Sequence, residues 1–211
     1  MWTKELLDKL NKYNVVLGSS SKLRRQFFSQ NLGVPSFSVV TSTFEENLPK
    51  NDYTAAEYVS ETARRKIDSI VAALDPHVPS ILVVADTIVC SGDQVFEKPG
   101  TAAEQLRMLA HYRDTAEVTV MTAVHVCRVQ NGQTGPYHSN VASTHLHFNI
   151  ALTDEQLQFY VASNEGLHVA GGFKFQEMGS MLFVDLLGDY FNVVGLPVRM
   201  TYELLQAALT E

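Results

Sequence analysis

Asp86 has the strongest claim to chemistry in this sequence. It follows the unbroken apolar run Ile81-Leu82-Val83-Val84, the character expected of a strand covered on both faces. An unpaired carboxylate so close to such a strand is expensive, so Asp86 needs a partner, a metal or a cleft. A second candidate is Gly18-Ser19-Ser20-Ser21 with Arg24 and Arg25 just beyond. Backbone N–H groups at a helix start, serine hydroxyls and a guanidinium suit a phosphate group. The same serines equally suit an ordinary helix cap. Lys66 lies on the stripe Val59, Ala63, Ile67 and Ile70. Taken alone, it reads as a lysine whose stem crosses the core edge to bring its ammonium to water. His145 and His147 share one strand face but lack a third metal ligand, and read as ordinary strand residues. The phosphate-binding G-x-x-x-x-G-K-[ST] and G-x-G-x-x-G patterns are absent, as are H-E-x-x-H and G-x-S-x-G.

The elements that must position these residues follow from periodicity. Asn14 to Gly18 predicts a short buried strand, and Leu23, Phe27, Phe28 and Leu32 a helix stopped by Gly33 and Pro35. Phe37 to Thr41 reads as a strand leading to the acidic pair Glu45 and Glu46, and a helix starts at Thr54. Ser80 to Cys90 is a strand, turning at Gly92-Asp93 towards Phe96 to Pro99, with a helix from Ala102 to Tyr112. Glu117 to Val129 and Ser143 to Ile150 alternate as strands with one covered face. Thr153 and Gln156 form a capping-box pattern for a helix to Ala162. Met181 to Leu187 and Tyr190 to Val194 bracket Gly188-Asp189 as a hairpin, and a last helix covers Arg199 to Leu209. The fold class is therefore α/β, a mixed twisted sheet with flanking helices. Residues 1–211 are expected to form a single domain of two lobes without a clean sequence boundary.

Composition narrows the partners. With 211 residues, 45% hydrophobic and 18% charged, the chain can bury a substantial core. A formal charge of -7 argues against a nucleic-acid polymer as partner, while leaving room for a local basic pocket. Cys90 and Cys127, each within an apolar run, form neither a disulfide framework nor a zinc motif. The N-terminus lacks signal-peptide order, and no stretch reaches the roughly 18 apolar residues of a membrane span. A cytoplasmic protein without membrane contact is the expectation.

Several separated segments together resemble the Maf family. Leu17-Gly18-Ser19-Ser20-Ser21-Lys22-Leu23-Arg24-Arg25 resembles its opening L-A-S-x-S-P-x-R-R signature. Thr43-Phe44-Glu45-Glu46 resembles its acidic motif and Thr62-Ala63-Arg64-Arg65-Lys66 its L-A-x-x-K-A helix. Ala85-Asp86-Thr87-Ile88-Val89 is similar to G-A-D-T-V-V, and Glu97-Lys98-Pro99 to the G/E-K-P motif. Tyr160-Val161-Ala162-Ser163-Asn164-Glu165 is similar to Y-V-x-S-G-E-P, and Ala170 to Gln176 to A-G-A/S-Y/F-x-x-Q/E. Gly188-Asp189-Tyr190 through Val193-Val194-Gly195-Leu196-Pro197 repeats G-D-Y-x-x-V-V-G-L-P. The departures are Gly18 for alanine, Lys22 for proline, and about two extra residues between Arg25 and Phe37.

The resemblance implies a Maf/ITPase-like fold with two lobes around a cleft, and a house-cleaning nucleoside triphosphate pyrophosphatase that cuts the α–β phosphate bond. It implies Asp86, Glu46, Lys66 and Lys98 as catalytic residues and Ser19, Ser21 and Arg24 as phosphate ligands. Asp86 would accept a proton from water and, with Glu46, hold a divalent cation, Mg²⁺ or Mn²⁺. Lys66, read alone as a snorkelling side chain, becomes a substrate ligand. Leu23, Thr87 and Gln176 fall at positions linked to substrate preference. Thr87 and Gln176 resemble the subgroup acting on dTTP and UTP. Leu23 departs from both subgroups, and Gly172-Phe173-Lys174 resembles the 7-methyl-GTP branch. Pyrimidine triphosphates, modified ones included, are the expected substrates. The alternatives are 7-methyl-GTP, ITP or XTP, or a nucleotide-sensing regulator of cell division without turnover. Homodimers are usual in related proteins.

Overall fold

The structure is a computed structural model and describes residues 1–210. In chain order its main elements are α1 (Lys4–Leu10), β1 (Asn14–Gly18), α2 (Lys22–Gln30), β2 (Ser38–Val39), α3 (Ala55–Val71), β3 (Ser80–Ser91), β4 (Gln94–Phe96), α4 (Ala102–Thr115), β5 (Glu117–Gln130), β6 (Gln133–Phe148), α5 (Asp154–Ala162), β7 (Phe183–Leu187), α6 (Tyr190–Val193) and α7 (Val198–Thr210). The strand order is β2-β1-β3-β5-β6-β7, with β4 paired to β3. Parallel pairing of β1 with β2 and β3, and antiparallel pairing of β3 with β4 and β6 with β7, make the sheet mixed. No helix among the described residues is long and apolar enough to cross a membrane.

The chain divides into two compact units. The first comprises Met1–Asp86, Ala123–Val141 and the segment from Gly195 on; the second comprises Thr87–Thr122 and Ala142–Val194. β3, β5 and β6 therefore each pass from one unit to the other without leaving the strand.

In the first unit, the apolar stripe of α3 packs on β1, β3 and β5: Ile67 and Ile70 join Val16, Leu82, Val84, Cys127 and Val129 in one cluster. A capping box between Thr54 and Glu57 starts this helix. Gly18 ends β1 beneath it, where a Cβ would lie 2.6 Å from both Ile70 Cδ1 and Val84 Cγ1. α1 and α7 meet, with Trp2 edge-on to Tyr202 and the Tyr202 hydroxyl donating to the Met1 carbonyl. In the second unit, a cluster rich in aromatic residues, including Phe96, Tyr112, Phe148, Tyr160, Phe173 and Phe183, fills the interior between helices and strands.

Two sequence expectations need correction. Tyr190–Val193 is a helical turn, not the second arm of a hairpin. Its β-prone residues are overruled by Asp189, whose carboxylate caps the turn by accepting from the Phe191 N–H at 2.8 Å. β6 also starts at Gln133, ten positions before the alternating run at Ser143. Asn131 and Gly132, with φ of 52° and 72°, make the tight turn that leads β5 into β6, so pairing takes hold before any hydrophobic alternation appears.

Candidate active site

The first unit gathers seven of the candidate residues on four segments. Asp86 sits within β3 as its one acidic residue, directly after the buried apolar run Ile81 to Ala85. Lys66 comes from the buried face of α3, and its ammonium reaches Asp86 Oδ1 at 2.6 Å and Glu46 Oε1 at 2.8 Å. Lys66 thus ends on two carboxylates, not in bulk water as its isolated reading has it. Asp86 and Lys66 are buried, whereas the Glu46 side chain is half-exposed.

Glu46 lies on a segment without regular structure. Hydroxyls anchor it: Ser42 Oγ and Ser69 Oγ are 2.8 Å apart, Ser69 Oγ accepts from the Thr43 N–H, and Ser42 Oγ accepts from the Phe44 N–H. Ser69 stands three residues after Lys66 on α3 and donates to the Lys66 carbonyl at 3.1 Å. The helix that supplies the ammonium therefore also tethers the loop that supplies the second carboxylate.

Ser19 and Ser21 frame the start of α2. Ser21 is its N-cap, accepting from the Arg24 N–H at 3.3 Å, and Ser19 Oγ accepts from the Ser21 N–H at 3.2 Å. Arg24 is half-buried. Its Nε donates to the Gly195 carbonyl at 2.7 Å and its Nη1 to the Ala85 carbonyl at 2.8 Å, beside Ser19 Oγ at 3.5 Å. It clamps the backbone immediately before Asp86, a role that sequence reasoning did not assign. Leu23, next to it, is half-buried.

Charge is nearly balanced here. Burial pushes the Asp86 carboxyl above its ordinary range, and the Lys66 ammonium and then the Arg24 guanidinium oppose that rise. Burial likewise lowers Arg24, against the pull of Asp86 and Glu46. Two carboxylates that converge on one ammonium are hard oxygen donors of the kind Mg²⁺ or Mn²⁺ takes. The described residues contain no group of three or more His, Cys, Asp or Glu suited to a metal, so a cation at this pair would need further donors of another kind.

The remaining candidates belong to the second unit. Lys98 is exposed on the loop after β4. Thr87 is half-buried, its Oγ1 2.9 Å from that of Thr122, which in turn donates to the Asn192 carbonyl at 3.2 Å. Thr122 was legible as the polar member of the alternating series Val118, Val120, Thr122, Val124, Val126. Gln176 is half-buried on the segment between Phe173 and Met178. His145 and His147 are taken up by Thr119 and Asp185 as neighbours, in keeping with ordinary strand roles.

A family model described as Maf-like protein matches residues 14–208. The dTTP/UTP pyrophosphatase of Schizosaccharomyces pombe is 34% identical over 210 residues, covering 96% of this chain and 87% of its own. That of Saccharomyces cerevisiae is 33% identical over 214 residues, covering 93% and 91%. Among solved structures, a HAM1 protein from Coxiella burnetii aligns over 94% of this chain and 98% of its own, at 14% identity and a TM-score of 0.46.

Proposed function

The chain belongs to the Maf-like protein family, and from that premise we propose that it is a nucleoside triphosphate pyrophosphatase acting on dTTP and UTP. Water attacks the α phosphorus, the bond from that phosphorus to the α–β bridging oxygen breaks, and nucleoside monophosphate and pyrophosphate leave. The observation that carries this reading is the convergence of Asp86 and Glu46 on the Lys66 ammonium beside the capped start of α2. In-line attack on a polyphosphate needs negative charge neutralised and a water oriented and deprotonated.

Asp86 is the group to take the proton from water. Its elevated affinity for protons suits an acceptor poised nearer neutrality than an ordinary aspartate. Lys66 and Lys98 supply positive charge to phosphate oxygens, and Ser19, Ser21 and the α2 N-terminus supply hydrogen bonds. Arg24 adds charge and also fixes the backbone at Ala85. Asp86 and Glu46 would hold Mg²⁺ or Mn²⁺, which when bound neutralises further phosphate charge. Thr87 and Gln176 select the base, and both favour pyrimidine triphosphates. This reading also matches the names of the relatives.

The test is pyrophosphate release from dTTP, UTP, CTP, 7-methyl-GTP, ITP and XTP with Mg²⁺ or Mn²⁺. Turnover of dTTP and UTP is expected to lead. Silence across the panel sinks the enzymatic reading. D86N should lower kcat by about 10²–10⁴-fold, the range for losing a general base, with an unchanged circular dichroism spectrum.

A further inference from the structure

The Tyr160–Glu165 motif has no part in the phosphate chemistry, yet the second unit builds a conspicuous structure on it. After α5 the chain turns through Asn164, in the left-handed region at φ 58°, and the Glu165 carboxylate folds back on the helix end. Its Oε1 accepts from the Tyr160 hydroxyl at 3.1 Å and from the Gly179 N–H at 2.8 Å, while Oε2 accepts from the Met178 N–H at 3.1 Å. The Tyr160 oxygen in turn accepts from the Lys174 N–H at 3.1 Å. Both ends of the loop from Lys174 to Gly179 are thereby tied to one tyrosine–glutamate pair.

The loop closes tightly on those anchors. A Cβ at Gly179 would lie 2.5 Å from the Lys174 carbonyl oxygen and 2.9 Å from the Tyr160 hydroxyl. One at Gly166, beside Glu165, would lie 1.9 Å from the Gly172 carbonyl oxygen, so the strand of chain bearing the carboxylate is pressed against the residues that precede the loop. Lys174 and Glu177 add an ion pair at 3.2 Å. Gln176 sits in the middle of this ring.

We propose that Glu165, with Tyr160, is a positioning residue for base selection: it fixes the loop that presents Gln176. This rests on the reading of Gln176 as a base-contacting residue. Three donors converging on one group call for an acceptor-only side chain with several lone pairs, which a carboxylate supplies and a glutamine does not. An amide there turns an N–H against one of the donors and loosens one end of the loop. None of the residues assigned to phosphate chemistry lies on this loop. Loosening it therefore alters discrimination between bases more than it alters cleavage itself, because every nucleoside triphosphate presents the same phosphates.

The experiment compares the wild type with Q176E, E165Q and Y160F in kcat and KM for dTTP, UTP, CTP and GTP. Circular dichroism and thermal melting check each fold. E165Q and Y160F are expected to raise KM for the best pyrimidine substrate about tenfold, the effect of roughly one lost hydrogen bond. The kcat/KM ratio between the best and poorest bases should fall with it. A uniform loss over all four nucleotides, or no change in the ratio, overturns the positioning role. Should E165Q not fold, Y160F, which removes one hydroxyl, decides alone. A Q176E variant with unaltered base preference overturns the reading of Gln176 and the inference with it. A shift in Q176E without one in E165Q and Y160F overturns the inference only.

Discussion

At the scale of single residues, the Lys66–Asp86 pair governs both chemistry and stability. Removing one partner of a buried pair leaves the other charge uncompensated, at a cost of about 3 kcal/mol. K66M should lose that much by urea unfolding at neutral pH, and D86N/K66M should recover part of it because no bare carboxylate remains buried. A loss in K66M of no more than about 0.5 kcal/mol, the range of surface substitutions, would show that the pair is not sealed from water. Asp86 was legible in the sequence because a carboxylate in an apolar run is conspicuous. Lys66 was half legible: its place on the α3 stripe was readable, but its destination was not. That destination depends on Glu46, whose segment carries no periodicity and is held by the Ser42–Ser69 hydroxyl pair, across a separation in sequence that no local pattern reports.

At the scale of elements, α3 carries its own charge clamp. Glu61 accepts from Arg64 Nε at 2.8 Å and Arg65 Nε at 2.7 Å, which, led by the Arg64 hydrogen bond, brings its carboxyl from an ordinary 4.5 down to about 2. A depressed carboxyl contributes stability that is complete above its unfolded value and fades as pH falls through the folded one. Thermal midpoints of the wild type should therefore drop more steeply than those of E61Q between pH 5 and pH 2. Parallel curves would exclude the clamp. The helices and buried strands were readable from their spacing, including α3, β1, β3 and the capping box of α5. The misreadings lie where a local signal was ambiguous. Gly188-Asp189 reads as a turn between strands, yet Asp189 spends its carboxylate on a helix cap. The first half of β6, with Gly135 and Pro136 and mostly exposed or half-buried side chains, has no apolar face to announce it.

At the scale of the whole molecule, both thiols are interior: Cys90 and Cys127 are buried and unbridged. Burial raises both, Cys127 up to about 12, so neither forms appreciable thiolate in the folded protein near neutrality. Titration with an aromatic disulfide reagent should find both thiols slow in the native protein and both fast in guanidinium. A rapid native thiol would contradict the burial. The discontinuity of the two units has a consequence for synthesis on the ribosome. α1 leaves the ribosome well before α7, the helix it packs against, and β5 and β6 must also be made before the first unit is complete. The Asp86–Lys66 site therefore belongs to a unit that stays unfinished until the segment from Gly195 on has been made. A nascent chain stalled before Gly195 lacks the carbonyl that Arg24 grips, so the backbone beside Asp86 acquires that restraint only once Gly195 has been made.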